Sequence, residues 1–269
     1  MSSDSWKNEK VRVFTTLIDN ISFEEAQNRI IQFLAEPKFH RIYTPNTEIV
    51  MEAIKDKELT SLVNSADLVV ADGIGLIIGS KIKSLPIKER VTGYDLSIFL
   101  LQYAEENGLG IFLLGGAPGV AEKARENLRV ERPRLQITGC QNGYFKGAHI
   151  GQAGHEEEKQ IIDSINKSGA QILFVGLGFP KQEIWIDENK DKLENIRLAI
   201  GNGGVIDILG GIAKRAPQIF INLHLEWFYR LIKNPSRIKR QLAIPKFLLK
   251  IIKDPHAVET AIVENEEEK

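Results

Sequence analysis

Short apolar runs alternate with stretches of helical period along most of this chain. The runs at 11–16, 41–43, 68–71, 111–114, 135–138, 172–175 and 197–200 have the length and composition of strands. Between them, 23–34, 47–64, 96–106, 120–128, 156–166 and 181–190 repeat apolar residues at helical spacing. This alternation predicts an α/β fold, a parallel sheet with helices on both faces. Several strands run straight into polar or glycine-rich corners: Thr44-Pro45-Asn46, Asp72-Gly73, Gly115-Gly116, Gly176-Leu177-Gly178 and Gly201-Asn202-Gly203-Gly204. Ligands of an open α/β sheet bind at the carboxyl ends of its strands, so these corners are expected around one crevice.

After Asp207 the pattern becomes helical throughout. Ala216-Pro217 marks a helix start, Asn234-Pro235-Ser236 a break, and Pro245 interrupts a further helical stretch at 238–253. The division read from this is a polar, flexible N-terminus (1–10), a sheet domain (11–212), a helical appendage (213–253) and an acidic, disordered tail (254–269).

Composition adds little to the class: 269 residues, 43% hydrophobic, fit one large α/β domain with an appendage, or two small domains. Charge adds more. The net charge is −1, yet 214–253 carries ten Lys/Arg against a single acid, Glu226. The same stretch holds Trp227, Phe228, Tyr229, Phe247, Leu248, Leu249, Ile251 and Ile252. Cations mixed with aromatic and apolar residues suit an anionic membrane surface, and nucleic acid is not the expected partner. The plainer reading packs the aromatics on the core with the cations in water. A division between the two has 225–231 partly packed and 246–253 available for lipid; an exposed apolar appendage could equally build a homo-oligomer. Cys140 is the one cysteine, so no intramolecular disulfide forms and a reducing compartment is expected. Without an apolar signal core or a run of ~20 apolar residues, the expected location is cytoplasmic, peripheral to the inner membrane face.

Candidate chemistry sits at the corners. Gly115-Gly116-Ala117-Pro118-Gly119 reads either as a phosphate-binding turn or as a plain tight turn; the next strand lacks the ribose-binding acid of a dehydrogenase. The glycines of Gly201-Asn202-Gly203-Gly204-Val205-Ile206-Asp207 allow close backbone approach, with Asp207 placed for a ribose or base, or merely complementing a helix dipole. Asp72, at a strand's carboxyl end, is a candidate general base, with helix N-cap as its plain alternative; Thr44 and Asn46 add hydroxyl and amide groups nearby. In Gly178-Phe179-Pro180-Lys181-Gln182-Glu183, Lys181 and Gln182 offer donors to the crevice, and Glu183 sits on the same first helical turn. The histidines show no metal-ligand spacing, and Walker A, G-x-S-x-G and D-x-D patterns are absent from the sequence.

The ordered set T-P-N (44–46), A-D-G (71–73), R-V-T-G-Y-D (90–95), L-L-G-G (113–116), N-G-Y-F (142–145), G-L-G-F-P-K-Q-E (176–183), G-N-G-G-x-x-D (201–207), R-A-P (215–217) and L-E-W-x-Y-R-L-x-x-x-P-x-R-x-x-R (225–240) resembles the WecG/TagA/CpsF glycosyltransferase family over roughly 11–245. The resemblance implies a Rossmann-like core with a C-terminal helical appendage. It implies transfer of a sugar from a UDP-sugar to an undecaprenyl-diphosphate-linked acceptor at the cytoplasmic membrane, with inversion and without metal or cofactor. In one branch the donor is UDP-N-acetylmannosamine, the acceptor is lipid-diphospho-N-acetylglucosamine and the product primes wall teichoic acid; other members use the uronic acid or glucose.

By this resemblance Asp72 deprotonates the acceptor, while Thr44, Asn46 and Gln182 position the sugars. Arg90 lies in the matching R-V-x-G motif, Tyr144 and Asp207 contact uridine, and Arg230, Arg237 and Arg240 reach diphosphate and membrane. Gly115, Gly116, Lys181, Glu183, Gly203 and Gly204 complete the expected substrate contacts. The chain departs from the family pattern at Gln218-Ile219-Phe220 and His224, which bears on substrate detail. Two other classes compete: a nicotinamide-dependent oxidoreductase, from the Gly115–Gly119 turn, and a non-catalytic membrane scaffold, from the basic end.

Overall fold

The structure is a computed structural model and describes residues 9–235 and 238–262. Its strands are β1 (Glu9–Val13), β2 (Thr16–Asp19), β3 (His40–Tyr43), β4 (Leu68–Val69), β5 (Gly110–Gly115), β6 (Gln136–Gln141), β7 (Ile172–Gly176), β8 (Leu198–Gly201) and β9 (Val258–Ile262). Six of them form a parallel sheet in the order β4-β3-β8-β7-β5-β6, and three an antiparallel sheet, β2-β1-β9. β5 and β7 are apolar at consecutive positions because both faces of the parallel sheet are covered.

On one face, α1 (Phe23–Ala35), α5 (Gly93–Asn107) and α6 (Val120–Glu131) bury Ile30, Leu96, Leu100 and Ala124 against Ile42, Leu113 and Phe174. On the other, α3 (Lys57–Asn64), α7 (Glu156–Ser168) and α8 (Lys181–Asn189) bury Val63, Ile161, Ile165 and Trp185 against Phe112, Leu173 and Val175. A capping box at Ser22 and Glu25 starts α1. The doubly covered parallel sheet read from the alternation is present.

Several boundaries differ for local reasons. The helical period at 47–64 is two helices, α2 (Thr47–Ala53) and α3, because the Asp56 carboxylate accepts from the backbone N–H groups of Glu58 and Leu59 and starts a new helix. The run at 11–16 is not one strand: Phe14 has a φ of 54°, and the chain folds back into β2. An unforeseen helix, α4 (Ile74–Ile82), is apolar almost all round, so it shows no amphipathic period.

The ends differ most. Glu9 and Lys10 belong to β1, and Lys10 is buried against Asp19 at 3.3 Å. Asp19 Oδ2 also accepts from Val69 N at 2.8 Å, joining the small sheet to the β4 edge. The expected disordered tail contains β9, which pairs with all of β1; local sequence hides it because β1 lies far away along the chain. Residues 1–8 and 263–269 lie outside the described residues.

The C-terminal helices are α9 (Val205–Leu209), α10 (Gln218–Asn222), α11 (Glu226–Lys233), α12 (Ile238–Gln241) and α13 (Ala243–Lys253). α13 is only partly available to lipid: Phe247 and Ile251 are buried with Val11, Ile18, Leu76 and Val258 in a third core. Gly79 of α4 admits Phe247, since a Cβ there would lie 2.8 Å from its ring. Among the described residues, no helix is long and apolar enough to cross a membrane. Phe247→Ala should cost about 3 kcal/mol of unfolding free energy, measured by urea denaturation, because it empties a fully buried site and removes the edge contact with the Phe14 ring at 5.8 Å.

Candidate functional site

Three motifs distant in sequence meet at Asp72. Beyond β4 the chain stays tied to the β3 end, Asp72 N donating to Pro45 O at 3.0 Å. A Cβ on Gly73 would lie 3.0 Å from Asn46 Cβ, so glycine lets the two corners press together. The same holds at Gly93, whose Cβ would lie 2.9 Å from Thr44 Oγ1. Gly93 N donates to Asp72 Oδ2 at 3.4 Å. Asp72, Thr44 and the turn before α5 therefore form one cluster. Asn46 stands beside it, but its Oδ1 caps α2, accepting from Glu48 N and Ile49 N.

Burial raises the Asp72 pKa above the ordinary carboxylate value. The guanidinium groups of Arg230 and Arg90 and the Gly93 N–H oppose that rise, while Glu226 adds to it. Arg230 arrives on α11, and Glu226 on the same helix pairs with Arg90 at 2.6 Å. Arg215 lies 3.8 Å from Glu226, bonds Asp95 at 2.7 Å and stacks over the Tyr94 ring at 4.2 Å. Arg240 pairs instead with Glu48 at the surface, at 2.6 Å. Arg237 lies outside the described residues.

Alongside, the ends of β5, β7 and β8 border a cavity of about 780 Å³ that includes Gly116, Tyr144, Lys146, Lys181, Gly203 and Asp207 in its lining. That volume is within the range of small-molecule sites. Gly115 has a φ of +148°, and a Cβ there would lie 2.5 Å from Gly176 O, so the β5 and β7 corners touch backbone to backbone. Asp207 Oδ1 reaches the Gly116 corner, while Tyr144 stands exposed on the rim. Gly204 is exposed just past Gly203, at the start of α9.

The segment before α7 supplies lining residues that the motif reading did not single out, Lys146 and His149. Its shape depends on Glu158, a buried carboxylate accepting from Ala148 N, Gly154 N and Asn189 Nδ2 at 2.8, 2.7 and 3.1 Å. In sequence Glu158 looks like any acid of a helix's first turn. Burial and the nearby Lys181 charge lower the His149 pKa, which favours a neutral imidazole.

Gln182 is buried against the β7 and β8 corners, its Oε1 accepting from Gly178 N at 3.1 Å. Glu183 does not face the crevice. It is 2% exposed and pairs with Gln182 below the corners, away from the cavity lining. At a helix start an acid usually faces solvent, and nothing in the sequence marks this one as buried.

A carboxyl-end crevice that sets an acid–arginine cluster beside a small-molecule cavity is the layout of a ligand-binding site on an open α/β sheet. The chain belongs to the glycosyl transferase WecG/TagA/CpsF family, whose profile matches residues 11–259. It is 35% identical over 225 residues to an N-acetylglucosaminyldiphosphoundecaprenol N-acetyl-beta-D-mannosaminyltransferase of Bacillus spizizenii, covering 84% of this chain and 83% of the relative. A protein of the same name in Staphylococcus aureus strain MRSA252 is 31% identical over 254 residues, 94% of this chain and 96% of the relative. Family membership leaves the Gly115–Gly119 turn without its dehydrogenase reading.

Burial pushes the Glu183 pKa up from 4.5 to about 7. A folded state that holds its proton more tightly gains stability at low pH and loses it as pH rises from about 4.5 to about 7. Glu183→Gln should match the wild type in urea denaturation at pH about 4 and exceed it by about 3 kcal/mol at pH about 8.

Proposed function

We propose that this protein transfers N-acetylmannosamine from UDP-N-acetylmannosamine to undecaprenyl-diphosphate-linked N-acetylglucosamine, with inversion, at the inner face of the cell membrane in wall teichoic acid synthesis. The observation that carries the reading is the Asp72–Arg90–Arg230 cluster opening beside the nucleotide-sized cavity. The reaction named for the 35%-identical relative fits that arrangement.

In this mechanism the uridine lies toward Tyr144 and Asp207, with the diphosphate against the Gly116 and Gly203 corners and Lys181 beside it. Asp72 takes the proton of the attacking acceptor hydroxyl as the new bond forms at the anomeric carbon. The bond to UDP breaks on the opposite side. Its leaving charge is met by Lys181, Arg230 and backbone N–H groups, which replace a metal in this role. Thr44 orients the acceptor sugar beside Asp72. The opposed influences on Asp72 suit a base: burial strengthens its hold on a proton, and the arginines keep the carboxylate accessible.

The acceptor's lipid sets the orientation. α4 and α13 pack side by side and expose Ile78, Ile82, Leu249 and Ile252, with Lys81, Lys246 and Lys253 also exposed on these helices. An apolar ridge with basic flanks fits an anionic bilayer surface. It enlarges the membrane face read from the sequence, since α4 contributes half of the ridge.

Asp72→Asn should lower kcat about a hundredfold or more while UDP binding, read by calorimetry, stays near wild type; full turnover would remove Asp72 as the base. A panel of UDP-sugars with a short-chain lipid-diphospho-N-acetylglucosamine acceptor tests the donor, and N-acetylmannosamine should be used best. The double variant Leu249→Ser with Ile252→Ser should weaken co-sedimentation with anionic vesicles about tenfold. Unchanged sedimentation would place the membrane contact elsewhere.

A further inference from the structure

Glu183 follows Gln182 on the first turn of α8, and its carboxyl lies beneath the crevice. Its Oε1 accepts from Gln182 Nε2 at 2.9 Å, and its Oε2 is buried without a hydrogen-bond partner. The other end of the Gln182 amide, Oε1, takes the Gly178 N–H at 3.1 Å. The same amide occupies the space over Gly201, where a Cβ would lie 2.8 Å from Nε2. It also stands 3.5 Å from the Cβ position of Gly203. Gly178 and Gly203 both line the cavity. A chain of contacts therefore runs from Glu183 through Gln182 to the corners facing the donor.

The two ends of a glutamine amide are nearly equal in shape, so hydrogen bonds decide which way it points. A carbonyl-type oxygen on Glu183 requires the NH₂ end of Gln182 and leaves the C=O end for Gly178. If the amide turned over, its NH₂ would meet the Gly178 N–H, donor against donor. An ionised carboxylate with one oxygen sealed from water and unpartnered is far more costly to bury than a neutral acid in the same place. The backbone carbonyl of Glu183 is tied separately by the Tyr43 hydroxyl at 3.2 Å. That bond holds the turn whatever the carboxyl does.

We propose that Glu183 is a positioning residue acting as a neutral carboxylic acid: it fixes the orientation of the Gln182 amide and thereby the Gly178 and Gly203 corners that receive the donor's diphosphate. The diphosphate rests on the function proposed above; the orientation of Gln182 does not. Glutamine at 183 keeps the accepting C=O and replaces only the O–H, whereas leucine keeps the bulk and loses the acceptor.

The test uses the full chain, with UDP titration and steady-state turnover. Glu183→Leu should raise KM for the UDP-sugar and weaken UDP binding about tenfold, leave the acceptor KM unchanged, and be rescued by Glu183→Gln to within about threefold of wild type. In a Gln182→Ala background, Glu183→Leu should add no further loss. An additive loss, full activity in Glu183→Leu, or damage from Glu183→Gln equal to that from Glu183→Leu would overturn the proposal. If Glu183→Leu fails to fold, the infrared difference spectrum between wild type and Glu183→Gln at pH about 6 decides. A protonated-carboxyl band is expected, and an ionised-carboxylate band overturns the neutral form. Absence of turnover in the wild type would count against the proposed reaction alone, because UDP titration and the infrared band are read without it.

Discussion

The site depends on one carboxylate, Glu226, the only acid between residues 214 and 253. Its pair with Arg90 is almost fully enclosed, each side chain 12% exposed, and Arg215 adds a second cation to the same group. Removing one partner of such a pair strands a buried charge, which is far more costly than losing a surface bridge. Glu226 is also the first residue of α11, where a negative charge suits the helix dipole. Arg230 lies one turn further along on the same face, so the bond that anchors the helix also aims Arg230 at Asp72. That ion pair fastens α11 to the segment before α5 and keeps Arg230 close to Asp72.

Around that anchor, backbone proximity matters as much as side-chain chemistry. Gly73 against Asn46, Gly93 against Thr44 and Gly115 against Gly176 are approaches that a Cβ would obstruct. Each draws neighbouring corners together, the first two on the β3–β4 side of the sheet and the third between β5 and β7. Within the crevice, burial and nearby arginines act on Asp72 in opposite directions, whereas at Glu183 burial outweighs the hydrogen bonds that oppose it and no arginine charge acts among its causes. The two acids therefore end in different roles, one reachable by substrate and one sealed below it.

Much of this was legible along the chain. The alternation predicted the parallel sheet, and the glycine and polar corners that end its strands do gather at one crevice. Asp72 and Thr44 lie together at the β3 and β4 ends, and Asp207 lines the cavity. Three features were hidden. α4 lacks an amphipathic period because it is apolar nearly all round, on its exposed face as well as its buried one. β9 lies in an acidic stretch whose partner, β1, is at the other end of the chain. Glu158 and Glu183 look in sequence like ordinary acids of a first helical turn, yet both are buried.

What the sequence determined by itself was therefore local and periodic: the strands and amphipathic helices of the parallel sheet, the glycine and polar corners that end those strands, and which residue types are at hand for chemistry. These follow from side-chain spacing and backbone freedom, which act over a few residues. The tertiary structure decided which of those residues meet. It placed Arg230 beside Asp72, laid α13 on α4, and turned Glu183 inward while Lys181, two residues earlier, lines the cavity. Burial and Coulomb interactions act through space, and no pattern of neighbours along the chain contains those distances.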